Sequence, residues 1–132
     1  MNYKDILKKN GISLTKQRLE ILGKIEKFHH FSYIDLQNQL KNTGRASIFR
    51  NLKLFNEVGI IRIIDYTEGA IKYELNDDTV HHEHMKCGSC NEISEFDDSE
   101  LHSLFEKISK KNNFKLKKHS LLFEGVCVNC NN

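Results

Sequence analysis

Four cysteines fall into two pairs of identical spacing, Cys87-Gly88-Ser89-Cys90 and Cys127-Val128-Asn129-Cys130. A two-residue spacer lets both thiolates of a knuckle point at one ion, and two knuckles complete a tetrahedron around Zn²⁺, which needs no open position in a structural site. Two disulfides or a redox pair are the alternatives. Disulfides sit poorly in a cytosolic chain, and a redox function has no use for the second pair. The pattern therefore predicts a structural zinc at Cys87, Cys90, Cys127 and Cys130, which staples whatever the last third of the chain folds into.

The charge distribution divides the same way. Residues 1–75 carry 13 Lys and Arg against 8 Asp and Glu, a balance of +5, whereas 76–132 carry 7 against 10, a balance of −3. A basic front and an acidic, Cys- and His-rich rear suggest a polyanion partner for one and a cation for the other. With 132 residues in all, each half is near the size at which an apolar core alone is marginal, so a metal staple is physically useful. No apolar run is long enough to span a membrane, and MNYKDILKKNG lacks the apolar stretch of a secretion signal. The expected location is the cytoplasm.

Along the front half the spacing predicts helices followed by a hairpin. Thr15 or Ser13 can cap a helix carrying Leu19, Leu22, Ile25 and Phe28. Ser32 and Asp35 have the spacing of a capping box, opening a short helix with Ile34, Leu36 and Leu40. After Asn42-Thr43-Gly44, a helix over 45–58 buries Ile48, Leu52 and Phe55 and turns Ser47, Arg50 and Lys53 elsewhere, with Gly59 as its stop. The β-rich runs 60–64 and 71–75 flank Glu68-Gly69. Three helices and a hairpin are the order of a winged helix-turn-helix. Segment 76–80 is expected to be a hinge. Behind it, β runs 83–86 and 93–96 flank the first knuckle, Asp97-Asp98-Ser99 caps a helix with Leu101, Leu104, Phe105 and Ile108, and a strand is expected over 114–123. The predicted class is α+β: a winged-helix domain over 1–75 and a small α/β domain over 81–132.

The run His81-His82-Glu83-His84, with Glu74 upstream and Glu95 downstream, is the second concentration of ligating groups. On an extended strand His82 and His84 share one face while His81 and Glu83 share the other, so one segment offers two separate half-sites of nitrogen and oxygen donors. Such donors suit Fe²⁺, Mn²⁺, Zn²⁺ or Co²⁺. His102 and His119 can approach either half-site, and the bland alternative is a solvated histidine-rich turn. By its surroundings in sequence, His30 is an ordinary loop residue.

Taken together, Gly11-Ile12-Ser13-Leu14-Thr15-x-x-Arg18-x-x-Ile21-Leu22, Ala46-Ser47-Ile48-Phe49-Arg50-Asn51-Leu52, Tyr73-Glu74-Leu75, His81-His82-x-His84 and Gly125-x-Cys127-x-x-Cys130 are a specific combination. Over nearly its whole length the chain resembles the ferric uptake regulator family of bacterial metalloregulators. The resemblance implies a homodimer with a winged-helix DNA-binding domain and an α/β dimerisation domain. It further implies a regulatory site of His30, Glu74, His82, His84 and Glu95, and a second site of His81, Glu83, His102 and His119. His30 becomes a candidate ligand by this route alone. An ion held across the hinge would fix the DNA-binding shape of the dimer. His102 stands where the family usually has glutamate, and Phe49 where it has tyrosine, which keeps a ring for a thymine methyl but loses the hydroxyl.

The expected function is a metal-dependent, DNA-binding transcriptional regulator, an iron-responsive repressor with Fe²⁺ or another divalent ion such as Mn²⁺ or Zn²⁺ at the regulatory site. Its partner would be a double-stranded DNA operator, met through Arg45, Ser47, Phe49, Arg50 and Lys53. Zinc- or peroxide-responsive members of the same family are the nearest alternatives. A small His/Glu metalloenzyme is the alternative of another class, and a metal-storing or zinc-ribbon interaction module a third. The enzyme reading lacks a recognisable nucleophile or phosphate loop and leaves the basic front half unexplained.

Overall fold

In the computed structural model, which describes residues 2–77 and 82–131, the chain begins with a helix that the apolar spacing does not announce. α1 (Tyr3–Lys9) is capped by the Asn2 side chain and buries Leu7 completely. Tyr3, Ile6 and Leu7 stand at i, i+3 and i+4 and all meet the core, but seven residues fall short of the window in which such a period is read, so the expected helix order starts one element late. Gly11 then turns with φ +69°.

α2 (Lys16–Ile25) starts at Thr15, whose hydroxyl accepts from the Arg18 N–H at 3.2 Å. α3 (Tyr33–Gln39) starts with a true capping box: Ser32 Oγ accepts from Asp35 N–H, and Asp35 Oδ2 accepts from Ser32 N–H at 2.8 Å. α4 (Arg45–Glu57) buries Ile48, Leu52 and Phe55 along one stripe. Val58 is its cap, and Gly59 at φ +81° takes the left-handed turn that a side chain resists. β1 (Ile61–Asp65) and β2 (Lys72–Leu75) form an antiparallel hairpin with Arg62 opposite Glu74, closed by a turn through Gly69. Three helices and a wing thus follow the extra α1.

The apolar core of the first unit gathers Leu7, Ile21, Ile25, Phe31, Leu36, Leu52, Phe55 and Ile60 from every one of these helices and the wing. Phe31 matters beyond packing. It exchanges two backbone hydrogen bonds with Tyr73 (3.0 and 2.8 Å) and stacks on its ring at 5.5 Å. This isolated bridge clamps the loop before α3 to β2.

The chain separates into two compact units, Met1–Asp78 and Thr79–Asn132. Asn76 belongs to the first, its N–H bonded to Ile60 C=O at 2.9 Å and its side chain to Gly59 C=O. Residues 78–80 of the expected hinge lie outside the described residues.

The second unit holds a three-stranded sheet in the order β4-β3-β5. β3 (Glu83–Cys87) pairs antiparallel with β4 (Ile93–Phe96) and parallel with β5 (Leu122–Gly125). The parallel pair requires a crossover, supplied by α5 (Ser99–Lys111), which Asp98 caps. The strand expected over 114–123 is found at Leu122–Gly125, overlapping the expectation only at 122 and 123. Asn113 at φ +49° ends the helix turn, and 114–121 carries three lysines with no partner strand, so extension there gains no ladder. Among the described residues of this unit, Cys87 is the only buried apolar side chain. Among the described residues of the whole chain, no helix is long and apolar enough to cross a membrane.

Candidate metal centres and nucleic-acid interface

The parallel pairing of β3 with β5 is what assembles the cysteines. Cys87 ends β3 opposite Gly125, so the first knuckle and the C-terminal one emerge side by side. Gly88 N–H donates to Gly125 C=O at 2.8 Å, and Cys127 N–H donates to Cys87 Sγ at 3.3 Å. All four thiols are free, and their sulfurs lie within 4.8 Å of one another, with Cys90 and Cys127 at 3.8 Å. A tetrahedron with Zn–S of about 2.3 Å has an edge of about 3.8 Å, so the quartet fits zinc without rearrangement. The backbone N–H groups of Cys127 and Cys90 hold the Cys87 thiol down to about 6, ready as a thiolate. Cys130, facing the Cys127 and Cys87 sulfurs, is pushed up to about 12. An ion would reverse that second effect by drawing protons off the whole set.

The histidines and carboxylates form short preorganised pairs within each unit. In the first, the Phe31–Tyr73 bridge brings the preceding His30 beside the following Glu74: Nε2 and Oε2 are 3.5 Å apart. Glu74 is 3% exposed and also bridged by the Arg62 guanidinium, its cross-strand neighbour. His30 thus owes its place to the pairing of the aromatic after it with the aromatic before Glu74, which spacing in the sequence does not signal.

In the second unit the alternation along β3 holds. His84 lies opposite Glu95 on β4, His82 Nε2 is 3.3 Å from Glu95 Oε1, and the two imidazoles meet edge to face at 5.0 Å. Glu83 faces the other way, buried, with His119 Nε2 at 2.5 Å from its carboxylate. Phe105 on α5 packs against the His119 ring at 4.2 Å. His102 contacts Asp97 at 2.9 Å. Asp97 was visible in sequence only as part of a helix start. His81 lies outside the described residues.

On α4, Arg45, Phe49, Arg50 and Lys53 are exposed, while Ser47 is half-buried and accepts from the Arg50 guanidinium at 3.2 Å. The orientation of this face is fixed from behind. Arg18 on α2 donates from Nε to Asn51 Oδ1 (3.2 Å) and from a terminal nitrogen to Ser13 C=O (2.8 Å), and Asn51 Nδ2 donates to Ser47 C=O. Asn51, buried and polar in the middle of a helix, is a structural residue that spacing alone does not single out.

Comparison with known proteins gives a consistent result. The profile of the ferric uptake regulator family matches residues 9–124. The ferric uptake regulation protein of Neisseria gonorrhoeae is 35% identical over 130 residues, covering 94% of this chain and 90% of its own. Among solved structures, the ferric uptake regulator of Vibrio cholerae superposes with a TM-score of 0.81 at 30% identity, over 96% of this chain and all of its own. The regulator from Francisella tularensis with iron gives 0.80 at 32%, over 92% and 96%. A winged-helix front, a zinc-fitting cysteine quartet and this breadth of similarity place the chain in the ferric uptake regulator family of metal-dependent, DNA-binding transcription regulators.

Proposed function

We propose that this protein is an iron-responsive repressor that works as a homodimer in the cytoplasm and has no enzymatic activity. The observation that carries the reading is the pair of half-built nitrogen and oxygen donor sets: His30 with Glu74 in the first unit, and His82 and His84 with Glu95 in the second. Together these five are the proposed regulatory ligands. A bound divalent ion would supply a compact double charge that compensates the carboxylates of such a set. Glu74 is buried and already paired with Arg62. All four cysteines are gathered in the quartet, which leaves the regulatory set purely imidazole and carboxylate, a donor set suited to Fe²⁺ or Mn²⁺. The solved relative from Francisella tularensis was obtained with iron. The proposed second site keeps Glu83 and His119 as its nucleus, with His81 and His102 completing it.

Homodimerisation through the second unit is supported by its surface. Leu104 (49% exposed) and Ile108 (48%) form an i, i+4 pair on α5, and Phe123 on β5 is 47% exposed. A unit whose one buried apolar side chain among the described residues is Cys87, showing such side chains, gains a core by pairing. Two winged-helix units of a dimer would then present α4 to major grooves about one turn, roughly 34 Å, apart. Arg50 and Lys53, with Arg45 and Ser47, would meet the phosphates and Phe49 a base edge. The experiment is an anaerobic gel-shift series with and without Fe²⁺ or Mn²⁺. Tighter binding with metal is the expected result, and equal affinity in both arms rejects metal control.

A further inference from the structure

At the exposed end of α4 two rings from different helices lie flat on one another. Tyr33, the first residue of α3, and Phe49 of α4 have centroids 4.2 Å apart and planes within 5° of parallel. Tyr33 packs partly against the core of the first unit, whereas Phe49 keeps 48% of its surface in solvent. Arg45, the first residue of α4, joins the same tyrosine: its Nε donates to Tyr33 Oη at 3.3 Å, and its guanidinium carbon is 5.9 Å from the ring centroid. One side chain anchored in the core thus holds two exposed side chains near the N-terminal end of the helix that would read DNA. Exposed side chains ordinarily change rotamer within nanoseconds. A stacked ring and a tethered guanidinium are ordered before any ligand arrives, so binding need not order them.

Resting on the DNA-binding reading above, we propose that Tyr33 is a positioning residue for sequence readout. It holds the Phe49 ring with its free edge outward to contact the methyl group of one thymine in each half-site. It also holds Arg45 through Nε, leaving the terminal nitrogens for a phosphate. The chemistry follows from the groups present. Phe49 has no hydrogen-bonding atom, so the thymine methyl is the major-groove feature it can distinguish. An apolar contact of that size discriminates only if the ring cannot swing away.

The test uses the full-length reduced protein loaded with Zn²⁺ and Mn²⁺, and a duplex selected by that protein from a random pool. Each thymine is then replaced singly by deoxyuridine, which deletes the methyl alone. The wild type should lose about fourfold in affinity at one thymine per half-site, the worth of burying one methyl group. Tyr33→Ala and Phe49→Ala should bind thymine and deoxyuridine duplexes alike at that position. Tyr33→Phe should keep the discrimination but bind both duplexes more weakly, because Arg45 loses its tether. Tyr33→Leu, which still packs on the core but offers no flat face, replaces the alanine variant should that one fail to fold. A Tyr33→Ala or Tyr33→Leu protein that retains the deoxyuridine penalty overturns the proposal, as does a wild type indifferent to every thymine methyl. Unchanged affinity in Tyr33→Phe overturns the part assigned to Arg45. If the wild type enriches no sequence from the pool, the DNA-binding reading itself fails.

Discussion

Emptying the cysteine quartet should melt the second unit and spare the first. Apart from Cys87, every fully or nearly buried apolar side chain among the described residues lies in the first unit, from Leu7 to Tyr73. At about 1.5–3 kcal/mol for each buried Leu, Ile or Phe, that unit has a substantial driving force of its own. The second unit buries Glu83 and His84 instead, two polar groups that favour folding only through their partners. Against that weak background, four thiolates on zinc contribute roughly 10–16 kcal/mol at neutral pH. Cores of chains below about 70–80 residues rarely supply more than about 3–5 kcal/mol. A strong chelator, or Cys87→Ser, therefore removes more than the unit can replace. Hydrogen exchange read by mass spectrometry should show protection lost over 83–96 and 122–125 and unchanged over 45–65. Persistent protection of β3 and β4 in metal-free protein would refute the reasoning, and so would simultaneous melting of α4.

Other outcomes can be checked on the same protein. His82→Ala or Glu95→Ala should lower Mn²⁺-dependent DNA affinity at least about tenfold in gel shifts while leaving the melting curve nearly in place, since neither residue belongs to the quartet. Arg50→Ala should weaken DNA binding across sequences and reduce the slope of log affinity against log salt by about one, the signature of a lost phosphate contact. Ile108→Glu should raise the dimer dissociation constant about a hundredfold or more in sedimentation equilibrium. In the proposed dimer each of the two copies would lose about 1.5 kcal/mol of apolar burial at this exposed residue. Phe55→Ala, at a fully buried site, should destabilise the first unit by about 3–5 kcal/mol in urea unfolding.

Much of this was legible in the residues, and the exceptions have physical causes. Capping chemistry is local, so Thr15, Ser32 and Asp98 mark their helices without help from the rest of the chain. The stripe of Ile48, Leu52 and Phe55 and the stop at Gly59 are equally local. The alternation of His82 and His84 against Glu83 follows from the strand period alone, whereas the choice of His119 by Glu83 does not. Long-range pairing was the illegible part. His30 meets Glu74 because Phe31 and Tyr73, 42 positions later, exchange backbone hydrogen bonds, and no spacing rule anticipates an isolated bridge. α1 escaped because Tyr3, Ile6 and Leu7 give only one turn of period. The last strand was placed too early because Phe114-Lys115-Leu116-Lys117 alternates like a strand, whereas the ladder with β3 forms at Leu122–Gly125.

The two kinds of donor set differ in what already satisfies them, and that difference separates a permanent ion from an exchangeable one. In the quartet the sulfurs accept backbone N–H groups and face one another. A zinc ion there displaces only protons, and the hydrogen bonding to the Cys127 and Cys87 sulfurs that pushes Cys130 up to about 12 gives way to metal bonds when it binds. The nitrogen and oxygen sets are engaged already. Glu74 holds Arg62 and His30, Glu95 holds His82, and Glu83 holds His119. Any ion entering the proposed regulatory site must therefore compete with a guanidinium for Glu74. Such competition lowers affinity. A site weakened in this way releases its ion when the free concentration falls, which is the property a sensor needs and a staple must not have.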